Sequence, residues 1–196
     1  MATKKKAAPA DTIRSFRNAA QFRRWLGREH ARASALLLRF YKKASGVATI
    51  TYAEALDEAL CFGWIDGIKL AHDELSWLQR FTPRRPRSGW SKINTRHAER
   101  LIAAGAMRPA GQAAIDAAKA DGRWQRAYDS QSTAAPPPEF LVALARNPKA
   151  ADFYRTLNKS NLYAIAYRLH TAKRPETRHK RQRDIIAMLA RGEKLH

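Results

Sequence analysis

The sequence predicts an α+β fold: a small antiparallel sheet of about three strands with packed helices, followed by an all-helical C-terminal domain. Three observations predict it. Strand-like runs occur only in the first half, at 34–43, 63–71 and 75–82. Elsewhere apolar residues recur at helical spacing between cap residues. A polar, proline-rich stretch at 125–138, QRAYDSQSTAAPPP, separates the two halves. The expected organisation is a disordered basic tail at 1–11, an α+β domain at 12–124, a linker at 125–138 and a helical domain at 139–196.

The elements follow in order. Asn18 suits an N-cap before AQFRRWLGREHA, where Phe22, Trp25 and Leu26 fall at i, i+3 and i+4. SALLLRFYKK at 34–43 reads as a strand that stops before Ser45-Gly46. Thr51 and Glu54 have capping-box spacing and open a helix that ends at Gly63. The runs 63–71 and 75–82 then form a hairpin about His72-Asp73-Glu74. PRRPRSG at 83–89 is too rich in proline for regular structure. Helices are expected from about Ser91 to Ala104 and from Pro109 towards Gly122. Four more are expected at Pro138–Arg146, Pro148–Leu157, Ser160–Ala172 and Pro175–Arg191. Pro at the first helical position and Gly after the last mark several of these ends.

A chain of 196 residues with 45% hydrophobic residues buries enough apolar surface to fold. Its net charge of +20 favours anionic partners: nucleic acid, a phosphorylated molecule or an anionic membrane surface. A solvated basic surface is the plain alternative. One cysteine excludes an internal disulfide and a cysteine-based zinc site, and points to a reducing, cytoplasmic setting. No apolar run approaches the ~18 residues that span a bilayer. Peripheral contact with an anionic membrane ranks below nucleic acid. No cofactor is implied, and the six histidines lack paired metal-ligand spacing.

Four stretches, ALDEALCFGWIDG, FTPRRPRSGWSKIN, LIAAGAMRPAGQAAIDAAKADGRW and AKRPETRHKRQRDIIAMLARG, resemble the YdeI/OmpD-associated family, also called bacteriocin-protection proteins. The resemblance runs from about Phe16 to His196. It implies a bacterial protein, cytoplasmic, with a role in stress response or in tolerance of bacteriocins and antimicrobial peptides. It supplies no catalytic residues.

The residues themselves suggest candidates. Glu54, Glu58 and Cys61 share one helix face beside Asp57, with Leu56 and Leu60 opposite. Clustered carboxylates suit acid–base chemistry, but they also suit caps and surface ion pairs. Glu58 and Asp66 are the candidate catalytic pair of an enzyme reading, with Arg84 holding an anionic substrate. Cys61 between Leu60 and Phe62 reads as a small buried hydrophobe rather than a nucleophile. The candidate ligand-binding set is Trp64, Asp66, Arg84, Arg85, Arg87, Trp90, Ser91 and Lys92. Arginine forks suit phosphate or carboxylate, and a tryptophan face suits a base. A proline-stiffened loop that only neutralises nearby carboxylates would show the same residues. Arg174, Arg178 and Arg181 form a second basic surface able to follow a phosphate backbone without base readout. The first expectation is therefore an anion-binding protein, for nucleic acid or a phosphorylated molecule; the alternative is the Glu58/Asp66 enzyme.

Overall fold

The computed structural model describes residues 12–129, 134–172 and 174–195. The tail expected at 1–11 lies outside the described residues, as do 130–133 of the proline-rich stretch. The chain forms two compact units, one of residues up to 88 with 94–125, the other of 89–93 with the residues from 126 onward.

The first unit mixes helices with one sheet. Its elements are β1 (Ile13–Arg14), α1 (Ala19–Glu29), β2 (Leu36–Tyr41), α2 (Tyr52–Cys61), β3 (Trp64–Asp73) and β4 (Ser76–Pro83). The helices α3 (Lys92–Ala103, of which 94 onward belongs here) and α4 (Pro109–Ala120) complete it. The sheet order is β1-β2-β4-β3. The expected sheet of about three antiparallel strands is the β2-β4-β3 part. The two-residue β1 adds a fourth, parallel strand at the edge. Two residues are too short for a period-2 signal, so no pattern announces β1.

Local chemistry accounts for most element ends. The Asn18 side chain accepts from the Gln21 amide and starts α1. Thr51 and Glu54 close a capping box at α2, satisfying two otherwise unpaired amides. Gly63, at φ +72°, turns the chain from α2 into β3. The β3–β4 hairpin turns later than expected, at Glu74-Leu75. Asp73 Oδ1 accepts from the Leu75 amide at 3.0 Å and the Ser76 hydroxyl at 2.7 Å, so a local side-chain turn sets the register.

Leu36, Leu38 and Phe40 of β2 alternate into the core, opposite Phe81, Gln79 and Trp77 of β4. Phe22, Trp25 and Leu26 of α1 and Leu56 and Leu60 of α2 are buried with them. Rings meet through the core: Phe22 lies 5.9 Å from Phe81, and Trp25 stands edge-on to Trp64 at 5.7 Å. Each such side chain contributes roughly 1.5–3 kcal/mol through burial. The unit also has one very close backbone approach. Gly111 of α4 lies under the carbonyls of Leu60 and Cys61, and the Arg108 amide donates to the Cys61 carbonyl at 3.1 Å.

The second unit is helical: α5 (Pro138–Ala145), α6 (Pro148–Arg155), α7 (Lys159–His170) and α8 (Pro175–Ala190). Asn147 and Asn158 cap α6 and α7 by accepting from Ala150 and Asn161 amides. Phe140, Leu144, Leu157, Ile165, Leu169, Ile185 and Leu189 form its core. A short extended piece joins it: the Tyr128 amide donates to the Trp90 carbonyl and the Lys92 amide to the Tyr128 carbonyl, at 2.9 and 2.8 Å.

Candidate functional site

The carboxylates on α2 are engaged one by one. Glu54 accepts from the Thr51 amide and hydroxyl, which holds its carboxyl below the usual range. Asp57 accepts two bonds from Arg100, at 2.7 and 2.6 Å, and lies 2.8 Å from His97 Nδ1. Glu58 accepts from Arg23 Nη1 at 2.7 Å. Burial pushes the Glu58 carboxyl upward and outweighs the opposing pull of Arg23. Burial works against the charge on Arg23, but the bond and charge of Glu58 leave it raised. Cys61 is fully buried, and desolvation followed by the nearby Glu58 charge raises its thiol. Such a thiol is a poor nucleophile.

Asp66 accepts from the Tyr52 hydroxyl at 2.7 Å. Burial and this bond push the Tyr52 phenol strongly upward. Tyr52 and Glu58 are six residues apart on α2, which places them about 240° apart around the axis and about 9 Å along it. Glu58 on α2 and Asp66 on β3 thus bond to different side chains, Arg23 and Tyr52.

The expected ligand-binding set separates. Trp64 is 1% exposed, and its indole N–H donates to the His30 carbonyl at 3.1 Å. Trp90 is 2% exposed. Both belong to the expected ligand-binding set, Trp90 as a ring face for a base; both are buried instead, because their large apolar area is worth more inside than at the surface. Arg84, Arg85 and Arg87 belong to the first unit; Trp90, Ser91 and Lys92 belong to the second. Arg85 and Arg87 are exposed, and Arg84 is half-buried with its amide donating to the Gly63 carbonyl. Ser91 bridges to Tyr128, and Lys92 Nζ pairs with Asp129 at 2.8 Å.

The second basic surface is partly engaged by the protein's own acceptors. Arg174 is exposed at the start of α8. Arg178 approaches Glu139 at 3.8 Å. Arg181 donates to the Arg168 carbonyl at 2.6 Å and lines a cavity of about 440 Å³. Tyr163, Tyr167 and Arg168 of α7 and Thr171 just after it line the same cavity. The Tyr163 and Tyr167 rings are 5.8 Å apart, and Tyr128 meets Tyr167 edge-on at 5.1 Å. Tyr167 is 40% exposed. Burial raises the Tyr163 phenol, so it stays neutral at physiological pH. Neutral aromatic rings beside guanidiniums are suited to a flat, anionic ligand. Tyr163, Tyr167 and Arg168 escaped the sequence reading, although an i, i+4 tyrosine pair followed by an arginine is visible in LYAIAYRLH.

A second cavity, about 470 Å³, lies in the first unit, where Arg23, Arg24 and Gly27 of α1 meet Phe62 and Arg108. No spacing in the sequence joins these residues, since more than 80 positions separate Arg23 from Arg108. Among the described residues, no group of three or more His, Cys, Asp or Glu is placed to hold a metal ion. No helix among them is long and apolar enough to cross a membrane.

Family models match two parts of the chain. Residues 14–114 match a domain of unknown function (DUF8412), and residues 133–192 match the model described as bacteriocin-protection, YdeI or OmpD-associated. No curated protein and no solved structure matches the chain. The likeness to the YdeI/OmpD-associated family expected from Phe16 to His196 is matched by that family's model only at 133–192; the first three of the four stretches lie outside it. Through residues 14–114, over half of its length, the chain belongs to the DUF8412 family, and its residues 133–192 carry a domain of the bacteriocin-protection, YdeI or OmpD-associated family.

Proposed function

We propose that this protein binds single-stranded nucleic acid through its helical unit, and that this binding underlies a role in bacterial stress or bacteriocin tolerance. The cavity carries the reading: Tyr163 and Tyr167 line it with Arg168 and Arg181, so ring surface and positive charge border one space. Bases stack on the tyrosines while the arginines neutralise the adjacent phosphates. Arg174 and Arg178, at the N-terminal end of α8, extend the charge along the strand path. The net charge of +20 supports capture of a polyanion over a neutral ligand. Cytoplasmic nucleic acid is the partner in this reading. The enzyme alternative, with Glu58 and Asp66 as acid and base, has no observation in its favour, because the two carboxylates bond separately to Arg23 and Tyr52.

Fluorescence anisotropy with a labelled oligonucleotide, titrated across salt concentrations, tests the proposal. Affinity falls steeply with salt, with a slope of roughly −0.7 per neutralised phosphate. Tyr167→Ala lowers affinity by about 1–3 kcal/mol at every salt concentration. Arg168→Gln makes the slope shallower by about 0.7. Absence of binding at low salt, or Tyr167→Ala and Arg168→Gln proteins that bind like the parent, would refute it.

A further inference from the structure

We propose that the arginine-lined cavity of the first unit is a separate binding site for a small phosphate-bearing anion. Four observations converge on it. Arg23, Arg24 and Arg108 all line one open space of about 470 Å³ with Phe62. Arg23 is held in place: Nη1 donates to Glu58 and Nη2 to the Ala106 carbonyl, each at 2.7 Å, and its guanidinium lies 5.8 Å from the Phe62 ring centre. Two protein acceptors thus orient the fork before any ligand arrives, which lowers the entropy lost on binding.

The other two arginines are uncommitted. Among the described residues, the side chains of Arg24 and Arg108 make no hydrogen bond or ion pair, and both are exposed. Glu58 acts on Arg23 and Arg108, and it already accepts from Arg23. Three guanidiniums around one cavity carry more positive charge than this carboxylate offsets. A doubly charged phosphate removes that excess and matches the planar donor forks in geometry.

Gly27 supplies the fourth observation. It sits inside α1, where glycine costs about 1 kcal/mol relative to alanine. A Cβ placed on it would meet nothing within 4 Å, so neither packing nor backbone conformation requires glycine there. What the missing side chain does is leave this wall of the cavity open.

The test is calorimetric titration of the full chain with inorganic phosphate at constant ionic strength, with thermal unfolding in parallel. The expected result is saturable, one-to-one binding and a saturable rise in Tm. The double variant Arg24→Gln/Arg108→Gln loses at least tenfold in affinity. A control of equal charge change elsewhere in the unit, Arg32→Gln/Arg96→Gln, keeps it. Gly27→Leu is a better helix former and fills the wall, so it unfolds no lower than the parent yet binds phosphate at least tenfold more weakly. Equal losses in the two double variants, or no saturable binding, overturn the proposal. Arg168→Gln leaves phosphate binding unchanged, which separates this site from the nucleic-acid reading: either can fail without the other.

Discussion

One chemical change at two helical glycines should have opposite effects. At Gly111 an added Cβ would stand 2.4 Å from the Cys61 carbonyl oxygen, 2.7 Å from the Leu60 carbonyl oxygen and 2.5 Å from Met107 Sδ. The methionine sulfur can swing aside, but the two oxygens are backbone at the end of α2. Reaching ordinary contact requires α2 and α4 to part by roughly 0.8–1.1 Å, measured against the ~3.5 Å optimum of non-bonded contact. Overpacking of this kind costs about 1–3 kcal/mol. The separation also strains the Arg108 amide bond to the Cys61 carbonyl, worth about 1 kcal/mol. Alanine's helix propensity returns at most about 1 kcal/mol. The net expectation for Gly111→Ala is a loss of about 2 kcal/mol. At Gly27 the propensity term stands alone, because the added methyl meets nothing, so Gly27→Ala gains up to about 1 kcal/mol. Both sites lie in the first unit, which also holds four of the five tryptophans, Trp25, Trp64, Trp77 and Trp124. Urea unfolding followed by tryptophan fluorescence reads that unit's midpoint directly. If both variants shift the midpoint in the same direction, the close approach of α4 to α2 is not as described.

Two further outcomes follow from α2. Thr51→Ala removes the capping box and costs about 1 kcal/mol near pH 7, read as a lower urea midpoint. The Glu54 carboxyl is held below its unfolded value, so its contribution is present above that value and fades as pH falls through the folded pKa; the variant loses this acid-sensitive part. Arg23→Met leaves the Glu58 side chain, only 15% exposed, without its partner and costs about 2 kcal/mol at pH 7. Here the sign reverses: Glu58 is already raised in the folded state and rises further. The variant is relatively most stable below the unfolded value near 4.3 and weakens as pH climbs through the folded pKa. A Tm deficit that stays constant between pH 4 and pH 8 would contradict this account.

The parts legible in the sequence share a physical basis. Asn18, Thr51 with Glu54, Asn147-Pro148 and the Gly63 stop act within one helical turn, so four or five residues contain the whole cause. The apolar run LLLRFY likewise marks β2 as a strand, while which of its faces is buried emerges only in the fold. The turn falls at Glu74-Leu75, beginning two residues later than expected, because the deciding bonds come from the Asp73 side chain, a competition that hydropathy does not register. The parallel pairing of β1 depends on contacts with a strand more than 20 residues away, and its two residues carry no pattern of their own.

The candidate site divides along the same line. Net charge and the arginine-rich α8 are properties of the chain as written, and they raise the expectation of an anionic partner before any fold is known. Which rings remain available is a property of packing. Trp64 and Trp90 are the conspicuous aromatic residues in the sequence, yet the core takes them, while the less conspicuous Tyr163 and Tyr167 line an open cavity. Arg23, Arg24 and Arg108 become neighbours only because α4 starts against the end of α2, where Gly111 permits backbone-to-backbone contact. Composition and local periodicity are short-range quantities and settle the fold class and element ends. The meeting of residues 80 positions apart depends on how the apolar faces of α1, α2 and α4 bury one another, and no local window contains that information.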